Sequence, residues 1–142
     1  MNGYVQMIIG ALSAAGAYIL SLMGGWTPIL HALFVLMAVD IIFGIVLCFR
    51  GQSKHSKTGY FSSRIFTDGL IRKGAILLVI IVAHEIDIIS GLGMVCDAVV
   101  LFFATNEAIS ILENAGSAGL PIPQKLKNVL DTLRNKESVG KV

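Results

Sequence analysis

His84, Glu85 and Asp87 stand together in "HEID", the part of the chain closest to a known chemical motif. An HExxH helix binds zinc through two histidines one turn apart and uses its glutamate as a base. The second histidine would fall at position 88, and that residue is Ile88. His84 and Asp87 share a helix face at spacing three, but the sequence offers no third ligand and no nucleophile beside them. His31 and His55 are isolated. Cys48 and Cys96 sit in or beside apolar runs without CxxC spacing, so neither a zinc site nor a disulfide framework is expected. There is no GxSxG and no Walker loop. The expectation is a chain with no catalytic residues, no cofactor and no metal, and not an enzyme.

The remaining acids raise a different chemistry. "FVLMAVDIIFGIVLCF", from Phe34 to Phe49, is apolar or glycine throughout except for Asp40. Asp87, Asp97 and Glu107 also lie in or at the ends of apolar runs, as does Glu85. A carboxylate at the centre of a bilayer costs on the order of 3 kcal/mol, so such a residue is expected to face protein or water. Counted from Phe49, Asp40 lies nine residues in, roughly 13 Å deep at the helical rise. It is the deepest of the set. Gly44 follows it one turn later on the same face, where a small residue permits close approach of another helix. Glu107 lies nearer an end, within reach of Arg72 or Lys73. Asn106 beside it is a candidate for an interhelical hydrogen bond. Asp40, Gly44, Asp87, Asp97, Asn106 and Glu107 therefore form the candidate intramembrane and assembly set.

The elements that must position them are membrane helices. Apolar residues make up 55% of the 142 and charged residues 14%, well under the roughly 25% usual for a soluble domain. A bilayer needs about 20 apolar residues per helix. Four runs meet that length: 4–23, 28–49, 70–89 and 94–112, the third being the weakest because of Arg72 and Lys73. "GGWT" and "SGLG" join them in pairs, and such short glycine-rich turns predict two antiparallel hairpins. Trp26 in the first turn suits an interface. The predicted class is an all-α integral membrane protein with a transmembrane domain over 1–113, a basic loop over 50–69 and a cytoplasmic tail over 114–142. No cleaved signal peptide is expected, because the N-terminus lacks a basic region.

Charge distribution gives the orientation. All eleven Lys and Arg residues lie in two blocks: Arg50, Lys54, Lys57, Arg64, Arg72 and Lys73, then Lys125, Lys127, Arg134, Lys136 and Lys141. Short cytoplasmic loops collect positive charge, so the prediction is N-in and C-in. Between membrane spans, a basic loop is expected to meet anionic inner-leaflet lipid rather than nucleic acid.

Two further patterns concern packing. Gly10, Ala14, Ala17, Ser21 and Gly24 recur at spacings of four and three, a small-residue stripe of the kind that lets membrane helices approach. In the tail, "AGSAGLPIP" breaks the helix, and a short amphipathic one is expected over about 123–135. Leu126, Val129, Leu130 and Leu133 form its apolar side, with Lys125, Lys127, Asp131 and Arg134 on the other.

Three stretches carry a resemblance: "VDIIFGIV", "DGLIRKGAILLVIIVAHEID" and "NEAISILENAGSAGLPIPQKLKNVL". On these the chain resembles the bacteriophage holin family, which includes toxin-secretion holins of Gram-positive bacteria. The resemblance implies a small protein of the host's cytoplasmic membrane that oligomerises and opens lesions through which endolysin, or a toxin, passes. Its partners would be other copies of itself and lipid, with endolysin a functional partner that needs no direct contact. Asp40, Gly44, Arg72, Lys73, Asp87 and Glu107 are the residues the resemblance carries over. Two other classes fit the same spans: a small proton-coupled transporter or ion channel, and a non-conducting antiholin or regulator.

Overall fold

The computed structural model describes residues 3–50, 63–129 and 132. Among them there are four long helices and no strand: α1 (Gly3–Leu22), α2 (Pro28–Phe49), α3 (Ser63–Ser90) and α4 (Val95–Ser117). By length and composition α1, α2 and α4 are apolar enough to cross a membrane. At 28 residues α3 is the longest of the four, but it carries more charge. Its first turns lie within the stretch read as a loop, and α4 runs five residues past the expected end at 112. Both differences share one cause. Apolarity marks the part of a helix that avoids water, whereas backbone hydrogen bonding continues through polar residues until a breaker stops it.

Each boundary has a local reason. Thr27 caps α2, its hydroxyl accepting from the Leu30 amide at 3.2 Å, and Pro28 occupies the first turn, where its missing N–H costs nothing. The N-cap residue of α4, Met94, provides no side-chain cap. Asp87 supplies the cap from α3 instead. Its carboxylate accepts from the amides of Met94 at 3.0 Å, Val95 at 2.9 Å and Cys96 at 2.7 Å. A helix start presents unpaired N–H groups and partial positive charge, so one carboxylate there both satisfies and ties down the turn. At its other end α4 closes on Gly119, whose φ of 81° is open to glycine. Pro121 and Pro123 follow, and a helical turn resumes over 124–129.

Packing is uneven. α4 is the central helix, lying against both α2 and α3. Leu30, Leu33 and Met37 of α2 meet Ile76 and Ile80 of α3 and Val100 and Ala104 of α4 in one buried cluster. The positions on α2 recur at i, i+3 and i+7, which places them on one stripe. α1 does not pack along α2. It leans on α3 near its C-terminal end, and every residue from Gly3 to Ile19 is exposed. The turn after it is better seated. Met23 is buried in the core, and Trp26 stacks on Phe34 with ring centroids 5.9 Å apart.

Gly24 and Gly25 both have a φ of 86° in this turn, but only Gly24 is crowded: a Cβ there would stand 3.0 Å from Nδ1 of His84. Alanine in the left-handed region costs about 1–2 kcal/mol on its own. Gly24→Ala should therefore lower the melting temperature in detergent more than Gly25→Ala. Equal effects would show that the contact with His84 carries no weight.

Candidate functional site

Three helices converge on one polar cluster. Lys73 comes from α3, Asp40 from α2, and Glu107, Ser110 and Asn114 from α4. The Lys73 ammonium donates to Oδ2 of Asp40 at 3.1 Å and also to Oε2 of Glu107. The other oxygen of Asp40, Oδ1, accepts from the Ser110 hydroxyl at 2.7 Å and from the Asn114 amide at 3.2 Å. Among the described residues Asp40 is thus held by three donors, all from α3 and α4. The side chains of Lys73, Asp40 and Glu107 keep only 13%, 18% and 9% of their accessible surface. No fully buried side-chain polar atom among the described residues lacks a partner.

Local geometry explains the convergence. Glu107, Ser110 and Asn114 fall at i, i+3 and i+7, one face of α4. Lys73 sits one turn before Ile76 and two before Ile80, so it continues the buried stripe of α3. Asp40 continues the Leu33–Met37 stripe of α2 in the same way. The cluster extends the apolar core along its own axis rather than forming a separate pocket.

The candidate residues separate clearly. Asp40 and Glu107 meet at Lys73. Lys73, grouped with the surface cations but also one of the two offered to Glu107, is turned inward and takes that role, while Arg50 and Arg72 are exposed. The amide that reaches a second helix is Asn114, whereas Asn106 is exposed. Ser110 and Asn114 were not among the expected site residues. Their i, i+3, i+7 relation to Glu107 was the available signal. Gly44 is half-buried, but a Cβ there would meet nothing within 4 Å, so no described helix approaches it closely. Asp87 is the cap of α4, and Asp97 in the first turn of α4 is exposed. In the small-residue stripe Gly10, Ala14, Ala17 and Ser21 are exposed, and Gly24 lies against His84 of α3. Lys125, Leu126, Lys127 and Val129 are exposed. Lys54, Lys57, Leu130, Asp131, Leu133 and Arg134 lie outside the described residues, as does the side chain of Arg64.

The cluster offers one ammonium to two carboxylates, which leaves one net negative charge when all three are ionised. Among the described residues no group of three or more His, Cys, Asp or Glu side chains is placed to bind a metal ion.

Comparison with known proteins agrees with a membrane role. The family model described as the bacteriophage holin family matches residues 17–135. The chain belongs to that family. A probable holin of Bacillus phage phi105 is 32% identical over 126 residues, covering 88% of this chain and 85% of that protein. An uncharacterized protein of Halalkalibacterium halodurans is 33% identical over 144 residues, covering 97% of this chain and 99% of that one. An uncharacterized 14.9 kDa protein of Clostridium perfringens is 32% identical over 139 residues, covering 96% of this chain and 100% of that one. No solved structure matches. Every residue of the polar cluster in this holin-family chain falls inside the matched region.

Removing one member of a buried ion pair costs about 3–5 kcal/mol, because the partner stays charged and unmatched. Lys73→Met should therefore destabilise the helical bundle by about that amount in denaturant titrations in micelles. The neutral triple variant, Asp40→Asn with Lys73→Met and Glu107→Gln, should recover most of the loss. A single variant no less stable than the triple would contradict the role given to Lys73.

Proposed function

We propose that this chain is a phage holin that accumulates in the host's cytoplasmic membrane, oligomerises and opens lesions that release endolysin, or a toxin, from the cell. The observation that carries this reading is α1: a spanning-length apolar helix that its own chain leaves uncovered from Gly3 to Ile19. Such a helix needs lipid or other copies around it, and its Gly10, Ala14 and Ala17 offer a close-packing face to another copy.

The finer topology follows from the same physics. α3 serves as a fourth span. Its 28 residues reach about 42 Å, and its inward lysine is neutralised by two carboxylates rather than facing lipid. Four spans with the basic blocks on one side give N-in and C-in; α3–α4 forms one hairpin, whereas α1 leans on α3 and not along α2, so the expected first hairpin is a turn without helix-on-helix packing. The exposed Lys125 and Lys127 then lie at the inner leaflet beside anionic headgroups, each worth about 1 kcal/mol of attraction. Endolysin needs no contact with the chain, only the opening. No observation favours the transporter or regulator readings over this one.

Inducible expression in a bacterial host together with a cytoplasmic endolysin tests the proposal. After a delay, membrane potential should collapse abruptly and endolysin should appear outside. Depolarisation without release would place the chain among small channels. No effect on either would leave the lesion reading without support.

A further inference from the structure

The covalent connections and the polar cluster divide the chain at the same place. α3 and α4 are separated by four residues, 91 to 94, and Asp87 ties that turn to the start of α4. α1 and α2 are separated by five, 23 to 27. Between α2 and α3 lie thirteen, 50 to 62, enough chain to span at most about 47 Å. A helix is only about 10–12 Å across. The α3–α4 pair is therefore bound together, whereas the tether of α2 is long enough to reach another copy's α3–α4 pair.

The cluster divides at that tether too. Among the described residues Asp40 is its only member from the first half of the chain; Lys73, Glu107, Ser110 and Asn114 come from the second half and supply every described donor to Asp40. In a bilayer the apolar part of the α2–α4 contact can be exchanged for lipid at little cost, since lipid tails are as apolar as leucine. The polar contact cannot, because lipid offers Asp40 no donor.

We infer that the receptor formed by Lys73, Ser110 and Asn114 also accepts Asp40 from a second copy of the chain, so that α2 of one copy docks on α3–α4 of the next. The inference rests on the proposed membrane assembly and names its contact. The exchanged state satisfies the same hydrogen bonds as the closed one, so it carries no polar penalty. Concentration in the membrane then decides between them. Exchange is heterologous: each copy gives an α2 and receives one. Such contacts propagate into chains or close into rings. The uncovered α1 travels with the exchanging α2.

Two reversed variants distinguish exchange from closure. One copy carries Asp40→Lys and the other Lys73→Asp. Within either chain the cluster is mismatched. Exchange between them restores both sites. In one, the introduced ammonium of the first copy meets the introduced carboxylate of the second. In the other, the unchanged Asp40 of the second copy meets the unchanged Lys73 of the first. Expressed singly, each should release endolysin about tenfold less than the parent, or worse. Expressed together under different tags, they should co-purify and regain most of the release. No rescue in trans overturns the exchange, and so does full activity of either variant alone. The chain carrying both changes controls for folding of the reversed pair. If that chain is inactive, the deciding measurement uses copies with Cys48 and Cys96 replaced by serine. One carries Met37→Cys, the other Ala104→Cys, positions of the cluster shared by α2 and α4 that leave Asp40 and its donors in place, and a short bis-maleimide is added in the membrane. A cross-linked pair of differently tagged chains supports exchange, and its absence overturns it. Failure of the parent chain itself to release endolysin would instead count against the proposed function, and cross-linking would still answer the question of exchange.

Discussion

One ammonium shared between two carboxylates organises this protein. In lipid, an unmatched charge is the most expensive thing a helix can carry, while apolar side chains are nearly indifferent to whether their neighbour is protein or acyl chain. The contact among Lys73, Asp40 and Glu107 is therefore the one the bilayer cannot imitate. It requires α2, α3 and α4 to meet at a fixed register, and the Leu, Ile, Met and Val stripes above it interdigitate as a consequence. The ion pairs do not add much net stability, since desolvation offsets most of their attraction. What they supply is specificity: other arrangements of these helices leave a charge uncovered.

The asymmetry of the molecule follows. α1 contributes no charge to the cluster and is not fixed by it. It meets the remainder chiefly through its turn, where Met23 is buried and Gly24 lies against His84. The α3–α4 pair is fixed twice, by Asp87 at one end and by the cluster further along. The chain combines a three-helix unit held by the cluster with an attached apolar helix that is exposed from Gly3 to Ile19.

Much of this was legible in the residues. The all-helical class and the apolar lengths of three helices follow from composition and run length. Asp40 stands out because a lone carboxylate in "FVLMAVDIIFGIVLCF" has no cheap explanation. Its partners were harder to see. Ser110 and Asn114 sit in "NEAISILENAGS", where polar residues are frequent enough to hide a pattern, and only their helical spacing from Glu107 marks them. Lys73 was half visible: the sequence offered Glu107 either Arg72 or Lys73, and the structure takes Lys73. It neighbours Arg72 in a basic segment, and sequence order cannot say which of two adjacent cations points inward. The buried stripe of Ile76 and Ile80 decides that, and the stripe is a property of packing. Helix ends were displaced because polarity ends the membrane signal before it ends the helix.

The most direct measurement is the position of the Lys73 ammonium in a lipid bilayer. Solid-state NMR dipolar recoupling between its 15N-labelled Nζ and 13C-labelled carboxyl carbons of Asp and Glu reports both distances in one sample. The account requires a rigid ammonium in close contact with two carboxyl groups, one of each type. The signals would be assigned by loss in Asp40→Asn and Glu107→Gln. A mobile ammonium far from both, as for a lysine at the headgroups, would contradict it.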